Sequence, residues 1–340
     1  MGGPNLYIHA GPGKTATTFL QGAVFDRIKS ARTFSKPNIS LGEDMVQFGD
    51  MFDLSPRVWR ALEEDPFTAD GSEPEVDVVI SDEMIFGGLA SPRPWIPGSV
   101  SARVPLPRPR RHTYSRPSPC LVLCHLEELC EVSSNWGYDQ VKFLLTTRCQ
   151  DTKLASSYAQ ISNRVRGAGQ QSFKDWVRYL LYDPIGYNKG GGEKLNYSVW
   201  WKGVTEVIGE ENVQFLPFEL LQEDSHAFLE RWLGFIGIAE SDSIARSLSD
   251  TEKEYSRSVS EREWFLREPL RTGPSLPAGR VLRALGLPFQ IPLRWPDFQR
   301  DDRIHLTENL TEGILNIYGE GNRLLDTINH NLNLRKYGYY

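Results

Sequence analysis

The sequence predicts an α/β fold in which a parallel β-sheet carries helices on both faces. The chain opens with a short apolar strand, a Gly-rich turn and a helical pattern. Further strand-like runs then alternate with helical segments, an alternation that is typical of parallel sheets. Charged residues stand directly after these runs, at the carboxyl ends of the strands, where parallel sheets bind their ligands.

The first element is a strand over residues 6–9, a short run of β-prone residues that Gly11, Pro12 and Gly13 interrupt. A helix is expected from about Thr15, because apolar residues recur after it at helical spacing. They are Phe19, Leu20, Ala23, Val24 and Ile28.

Three later runs are predicted strands, at 76–81, 141–147 and 213–216. The run at 141–147 leads into a helix that starts near Asp151, whose side chain can cap it. The apolar stripe of this helix consists of Leu154, Tyr158, Ile161 and Val165. The run at 213–216 leads into a helix that carries Phe228, Leu229, Trp232 and Leu233.

The polar residues that follow these strands are the candidate site. Lys14 follows the first strand, Glu83 the second, Arg148 the third and Glu219 the fourth. Because the carboxyl ends of parallel strands meet at one edge of the sheet, these side chains are expected to gather around one crevice.

Composition narrows the class of protein. The 340 residues are 40% hydrophobic and 24% charged, enough for one large globular domain over 1–340. The net charge of −6 argues against a nucleic-acid partner. No apolar run reaches the length of a membrane span, and no signal-peptide pattern follows Met1, so a cytoplasmic location is expected.

The four cysteines give no metal site. Three of them lie within residues 120–130 without paired C-x-x-C spacing. We expect free thiols in a reducing compartment, and no metal ligand set.

Two stretches depart from the α/β pattern. Residues 89–120 are rich in proline and contain six arginines, so they are expected to be an irregular insertion. A solvated insertion, a loop that binds an anionic acceptor and an error of reading frame all remain open for it. The second stretch is a Pro-rich passage at 274–296 between helical segments, within a C-terminal part, 265–340, that is expected to be mainly helical.

The turn after the first strand has the composition of a phosphate cradle. A turn between a strand and a helix directs backbone N–H groups to one place, where a lysine and several hydroxyls add further donors. It is not a Walker A loop, because Ile8 occupies the position where that motif requires glycine.

This turn resembles the 5′-phosphosulfate loop of sulfotransferases that use 3′-phosphoadenosine 5′-phosphosulfate (PAPS). Ala16 replaces the usual glycine of that loop. The resemblance implies that Lys14 steadies the bridging oxygen as the sulfuryl group leaves. It also implies a donor-binding set made of Gly11, Gly13, Lys14, Thr15, Ala16, Thr17 and Thr18.

A second motif resembles the 3′-phosphate site of the same family. There an arginine ends a strand and a serine follows eight residues later, as Arg148 and Ser156 do here. A guanidinium makes forked, charge-assisted bonds to a phosphate, and a serine in the next helix can join it. An ion pair of Arg148 with Asp151 is the alternative interpretation of the arginine.

The resemblance continues toward the C-terminus. It implies that Tyr197 lies near the adenine and that Arg257 is a candidate for the 3′-phosphate. Trp200 and Trp201 are expected in the core, and Glu219 is expected to be structural. The end of the chain, from 314 to 340, loosely resembles the tails of bacterial sulfotransferases that modify glycans.

A general base is needed to remove the acceptor proton during attack on sulfur. Glu83 is the first candidate and Asp82 the second, since both follow the second predicted strand. His9 lies inside a strand and is expected to be a core histidine.

These observations predict a sulfotransferase with a P-loop-like fold that uses PAPS, releases 3′,5′-adenosine bisphosphate and needs no metal. The expected acceptor is a hydroxyl or amine of a glycan or of a small compound. A kinase that uses ATP and a catalytically inactive nucleotide-binding relative are the alternatives. The sequence leaves the oligomeric state open.

Overall fold

The computed structural model describes residues 3–13, 15, 17–68, 74–86, 119–165, 167–182, 192–249, 258–260, 262–268, 301–329 and 331–340. Lys14, Ala16 and Arg257 lie outside the described residues. So does most of the Pro/Arg-rich stretch at 89–120, of which only the last two residues are described.

Ten strands are present in the described part of the chain. They are β1 (Asn5–Ala10), β2 (Arg32–Ser35), β3 (Asn38–Leu41), β4 (Asp44–Gln47), β5 (Val78–Ser81), β6 (Gln140–Thr147), β7 (Val213–Pro217), β8 (Ser258–Ser260), β9 (Glu263–Phe265) and β10 (Arg303–His305).

The α-helices in the same ranges differ widely in length. They are α1 (Thr17–Phe19), α2 (Phe48–Met51), α3 (Pro119–Asn135), α4 (Gln150–Ile161), α5 (Gln170–Tyr182), α6 (Tyr197–Ile208), α7 (Phe218–Glu223), α8 (Ser225–Ile236), α9 (Ser241–Ser249) and α10 (Glu308–Ile328). Short 3₁₀ turns include Phe25–Arg27, Pro56–Ala61 and Gly192–Leu195.

The main sheet has five parallel strands in the order β2-β5-β1-β6-β7. Four of them are the strands that the sequence predicts. The fifth, β2, escapes prediction because it has only four residues and none of them is fully buried. It lies at the edge of the sheet, where it pairs with β5 alone.

Successive residues of the strands enter opposite cores, as the pleat requires. In β1, Leu6 and Ile8 join the core that α3 and α6 help to form, whereas Tyr7 packs into the core on the other face. Trp232 of α8 belongs to that second core. The expected α/β architecture, a parallel sheet covered on both faces, is therefore confirmed.

The segment after β1 differs from the helix that was predicted there. Regular α-helix lasts only from Thr17 to Phe19 and continues as a π-helical turn, Leu20–Val24, and a 3₁₀ turn. The predicted apolar face is nevertheless correct, because Leu20, Val24 and Ile28 are buried in the second core. Gly22 lies inside the π-helical turn and lowers the helix propensity there.

The C-terminal part contains more strand than expected. β8, β9 and β10 form a small antiparallel sheet that precedes α10. Trp264 and Ile304 of this sheet join a third core with α4, α5 and α10. Three-residue strands carry too little alternation for a sequence pattern to reveal them.

Helix α3 begins at Pro119, so the last two residues of the predicted irregular stretch are helical. His125 on this helix is buried and accepts a 2.9 Å hydrogen bond from the indole N–H of Trp59. All four cysteines have free thiols. Within the described ranges, no helix combines the length and the apolar character that crossing a membrane requires.

Candidate functional site

The two predicted phosphate-binding motifs follow neighbouring strands. β1 and β6 pair in parallel, with Ala10 opposite Leu145. The Gly-rich loop therefore leaves the sheet beside the turn that carries Arg148. A Cβ atom built on Gly11 would lie 3.3 Å from the carbonyl oxygen of Thr146, so the loop is in contact with the end of β6.

The loop after β1 closes on itself. The hydroxyl of Thr15 donates a 2.9 Å hydrogen bond to the carbonyl of Pro12, and its side chain is fully buried. A Cβ atom at Gly11 would come within 2.5 Å of that hydroxyl oxygen, so the closed loop requires glycine there. Thr15 thus shapes the loop, and the phosphate contact that the resemblance implies for it stays a prediction.

Other members of the loop face open space. Gly13 is partly exposed, and nothing lies within 4 Å of a Cβ atom built there. Thr17 is buried at the start of α1 and Thr18 is exposed. Gly13 and Thr18 are therefore the described loop residues that a ligand can reach directly.

Contacts to its backbone and to its side chain hold Arg148 in position. The hydroxyl of Tyr197 donates to the Arg148 carbonyl at 2.8 Å. The guanidinium lies 4.8 Å from the centre of the Phe218 ring, and its Nε is 3.4 Å from the Thr152 hydroxyl. Burial lowers the pKa of Arg148, although nearby Glu219 opposes this shift.

Glu219 supports the turn that carries Arg148. Its carboxylate accepts the backbone N–H of Cys149 at 2.9 Å and the hydroxyl of Tyr339 at 2.8 Å. Burial raises its pKa, while the Cys149 N–H and the charge of Arg148 act in the opposite direction. The expectation that Glu219 is structural agrees with these contacts.

Tyr197 lies behind Arg148. Its side chain is fully buried, and its hydroxyl is engaged with the Arg148 backbone. Burial raises its pKa above the usual tyrosine value. In the structure, Tyr197 contacts the backbone of Arg148 and helps to position it. The contact with adenine that the resemblance implies stays a prediction.

Helix α4 starts one residue earlier than expected, and Asp151 does not cap it. The cap position is Cys149, which makes no side-chain cap bond. The Asp151 carboxylate accepts the backbone N–H of Thr152 and, at 3.3 Å, the hydroxyl of Thr311 on α10. Asp151 contacts α10 because that helix packs against α4. No local sequence pattern predicts this contact.

Ser156 lies in the second turn of α4, partly exposed, on the helix that directly follows Arg148. The chain thus presents a guanidinium and a hydroxyl eight residues apart around the carboxyl end of β6. No hydrogen bond between them is needed for this arrangement, because both groups would donate to the same anion.

The two carboxylates after β5 have different environments. Asp82 is fully buried and accepts hydrogen bonds from the backbone of Gly49 and Met84 and from the side chain of Gln47. Burial raises its pKa, and these three donors oppose the rise. Asp82 therefore holds the local backbone together.

The two carboxylate oxygens of Glu83 differ in their contacts. One oxygen pairs with the ammonium group of Lys36, which follows β2. The other oxygen, Oε2, is buried and has no hydrogen-bond partner among the described residues. Lys36 has no signal of its own in the sequence, because it follows β2, a short strand without a buried apolar pattern.

His9 is a core residue, as expected. Its two ring nitrogens contact the hydroxyls of Ser81 at 2.9 Å and Thr146 at 3.1 Å. Burial lowers its pKa to about 3. The imidazole is therefore neutral near neutral pH and ties together three adjacent strands.

A cavity of about 130 Å³ opens beside the Gly-rich loop. Its lining includes Pro12 and Gly13 of the loop, Lys153 and Ser157 of α4, and Lys194 from the 3₁₀ turn before α6. Neither lysine was singled out from the sequence. Lys153 sits five residues after Arg148 in a helical pattern, where a lysine normally indicates a solvated face.

Comparison with known proteins gives structural similarity only. No family model matches the chain, and no curated protein matches it. A sulfotransferase from Alicyclobacillus acidocaldarius is similar with a TM-score of 0.49 and 12% identity, over 99% of each chain. Mouse sulfotransferase SULT7A1 complexed with PAP is similar with a TM-score of 0.39 and 14% identity, over 75% of this chain and 67% of that one.

Both of these structures are sulfotransferases, the family that the sequence motifs resemble. Identities this low leave the function to be inferred from the site itself.

Proposed function

We propose that the chain is a sulfotransferase that transfers a sulfuryl group from PAPS to an acceptor hydroxyl or amine. The observation that supports this most directly is the pairing of β1 with β6. It brings a Gly-rich loop and an arginine-bearing turn to one edge of the sheet, so that two phosphate groups of one nucleotide can be bound together.

The residues present suit such a donor. The open backbone at Gly13 and the exposed hydroxyl of Thr18 offer N–H and O–H donors for a 5′-phosphosulfate. By resemblance, Lys14 adds a positive charge for the bridging oxygen. The donor supplies an activated sulfuryl group when it is bound.

Arg148 and Ser156 are assigned to the 3′-phosphate. The Phe218 ring beside the guanidinium and the Thr152 hydroxyl near its Nε restrict the side chain to few orientations before any ligand arrives. A pre-organised fork loses little entropy when it binds a phosphate. By resemblance, Arg257 is a further candidate for this group.

Glu83 is assigned as the base that takes the acceptor proton. Of the oxygens of the two carboxylates after β5, its Oε2 is the one that accepts no hydrogen bond from a described residue. Lys36 fixes the other oxygen and so limits the rotation of the carboxylate. The acceptor is a glycan or a small hydroxyl compound.

Nucleotide affinity tests the proposal. We expect 3′,5′-adenosine bisphosphate to bind tightly in calorimetry without added metal and ATP to bind poorly, because ATP lacks the 3′-phosphate. Arg148→Ala should remove the preference, at a cost of about 1.5–3 kcal/mol for the lost charged hydrogen bonds. Arg178→Ala is the control, since Arg178 is 70% exposed on α5.

Equal affinity for the two nucleotides, or a requirement for Mg²⁺, would favour the kinase alternative. Transfer of labelled sulfate from PAPS distinguishes an enzyme from an inactive nucleotide-binding relative. Lys14→Ala is expected to lower that transfer about 10²- to 10³-fold while the protein stays folded.

A further inference from the structure

The carboxyl end of β5, which precedes Glu83, is held from both neighbouring strands. Its last residue, Ser81, is fully buried. The Ser81 carbonyl accepts the backbone N–H of Lys36 at 3.0 Å and the side-chain amide of Gln21 at 3.0 Å. Lys36 directly follows β2 and Gln21 follows β1, and these are the two strands that pair with β5. The strand end is therefore fixed from both sides, two residues before Glu83.

Gln21 connects this strand end to the Gly-rich loop. It lies in the π-helical turn Leu20–Val24, which directly continues α1 after the loop. Its amide donates to the Ser81 hydroxyl as well as to the Ser81 carbonyl, at 3.0 Å in each case. The Ser81 hydroxyl also contacts His9 of β1 at 2.9 Å. The helical turn after the loop and the backbone that leads to Glu83 are thus bonded to one another.

Lys36 contacts the same strand end from a strained backbone. Its φ is +50°, in the left-handed region where a residue other than glycine loses conformational energy. Apart from Lys36, Asn333 is the one non-glycine residue with a positive φ in the described part of the chain. Asparagine tolerates this region better than lysine does. The local backbone would therefore favour glycine at position 36.

Stability does not account for a lysine at this position. Its ammonium group pairs with Oε1 of Glu83, but the two side chains are 38% and 25% exposed. Ion pairs with such exposure contribute little to the free energy of unfolding. Backbone strain that persists in a fold is concentrated at functional sites. Here the pair leaves Oε2 of the same carboxylate buried and without a hydrogen bond from the described residues.

We propose that Lys36 and Gln21 are positioning residues of the transfer reaction. Lys36 fixes the carboxylate of Glu83 through Oε1, and Gln21 fixes the strand end before it relative to the donor loop. The oxygen that takes the acceptor proton, Oε2, then keeps one position, and a misplacement of about 1 Å can cost about 10²-fold in rate. The inference rests on the proposed function, in which Glu83 is the base.

Variants of the full-length protein test the proposal by separating kcat from binding. Lys36→Met is expected to lower kcat about 10- to 100-fold and Gln21→Leu about three- to tenfold, because the base is then held less firmly. The KM of the acceptor and the affinity for 3′,5′-adenosine bisphosphate should be nearly unchanged in both. Lys36→Arg keeps the charge and should restore most of the kcat that Lys36→Met loses.

Lys36→Gly separates positioning from stability. Glycine relieves the left-handed backbone, so this variant should be at least as stable in denaturant unfolding as Lys36→Met. Its kcat should nevertheless be as low, because the ammonium group is missing. A lysine with a purely structural role would instead give a Lys36→Gly variant with full kcat, and that result would overturn the inference.

A double-mutant cycle shows whether the two residues act through Glu83. In a Glu83→Gln background, Lys36→Met and Gln21→Leu should have no further effect on kcat, since the group that they position is gone. Losses that multiply with that of Glu83→Gln would mean that the two residues act elsewhere, which contradicts the proposal.

Two controls remove contacts of the same kind outside the candidate site. Lys202→Met removes an exposed ion pair with Glu206 on α6. Gln170→Leu removes the bonds between the Gln170 side chain and the backbone of His305 on β10. Both variants should keep the kcat of the unsubstituted protein.

The failure of this inference can be distinguished from the failure of the proposed function. If 3′,5′-adenosine bisphosphate does not bind, or if Glu83→Gln is fully active, the proposed function or its base is wrong and the inference falls with it. If Glu83→Gln is impaired while Lys36→Met and Gln21→Leu keep full kcat, the positioning inference alone is wrong.

Discussion

The two carboxylates that follow β5, Asp82 and Glu83, have different roles. Asp82 receives three hydrogen bonds and is fully buried, whereas Glu83 has one oxygen with no partner among the described residues. A carboxylate that already accepts several donors gains little from a further proton. The environment, rather than the residue type, makes Glu83 the better candidate for the base.

Replacing Glu83 by glutamine is therefore expected to lower kcat about 10²- to 10⁴-fold with little effect on donor affinity. Turnover of one good acceptor is the measurement, with titration of 3′,5′-adenosine bisphosphate beside it. Asp82→Asn should instead lower the free energy of unfolding, since it disturbs the bonds to Gly49 and Met84. A fully active Glu83→Gln variant would place the base elsewhere.

His9 makes the stability of the fold depend on pH. Its pKa falls from 6.5 to about 3 on burial, so the unfolded chain binds a proton that the folded chain does not. The stability that this residue contributes is present above pH 6.5 and decreases as the pH falls toward 3. The slope is at most about 1.4 kcal/mol per pH unit.

We expect His9→Gln to flatten this acid limb of the stability profile between pH 6 and pH 4. Denaturant unfolding at each pH measures it. The unsubstituted protein, unfolded at the same pH values, is the reference. Parallel profiles for the two proteins would contradict the assignment.

At the scale of elements, the loop between β1 and α1 depends on one small residue. Gly11 lies against the Thr15 hydroxyl of the same loop and the Thr146 carbonyl of strand β6. The same loop is followed by a π-helical turn, a form found frequently at functional sites. The loop is shaped by contact with the neighbouring strand end as much as by its own sequence.

Gly11→Ala should accordingly cost about 1–3 kcal/mol of stability through overpacking and also weaken nucleotide binding. Thermal unfolding and calorimetry measure the two effects. Gly22→Ala is the matched control, because nothing lies within 4 Å of a Cβ atom there. Its stability should be unchanged or higher, since alanine favours helical structure. Equal stability and equal nucleotide affinity of the two variants would show that the loop tolerates a Cβ atom at position 11.

At the scale of the whole molecule, the end of the chain supports the centre of the site. The Tyr339 hydroxyl donates to Glu219 and lies 3.2 Å from the Thr147 hydroxyl. Asn322 on α10 donates to the Tyr339 carbonyl and to the side chain of Gln150 on α4. The C-terminal residues are thus bonded to the same framework that holds Arg148.

Tyr339→Phe is expected to lower the free energy of unfolding by about 1–3 kcal/mol, because it leaves one oxygen of buried Glu219 without this donor. It should also weaken nucleotide binding through the turn at Arg148. Tyr340→Phe is the control, since its partner Asp326 also accepts the backbone N–H of Leu334. If the Tyr339 variant is as stable as the Tyr340 variant, the Tyr339 hydroxyl does not stabilise this framework.

The features of this protein that depend on local patterns could be predicted from the amino-acid sequence. Apolar runs and breaks located four of the five strands of the main sheet, and spacing located Arg148, Glu83 and the Gly-rich loop at strand ends. Helical periodicity identified the buried face after β1 even though the helix there is irregular. Such features could be predicted because their signal is contained within a few consecutive residues.

Which of these parts contact each other became known from the folded structure alone. The edge strand β2 and Lys36, the bond of Tyr339 to a glutamate 120 positions earlier, and the common cavity of Lys153 and Lys194 have no local signature. Each depends on contacts between distant segments, which are selected by the packing of the whole core. The strand order of the main sheet also depends on contacts between distant segments. It places the loop after β1 beside Arg148.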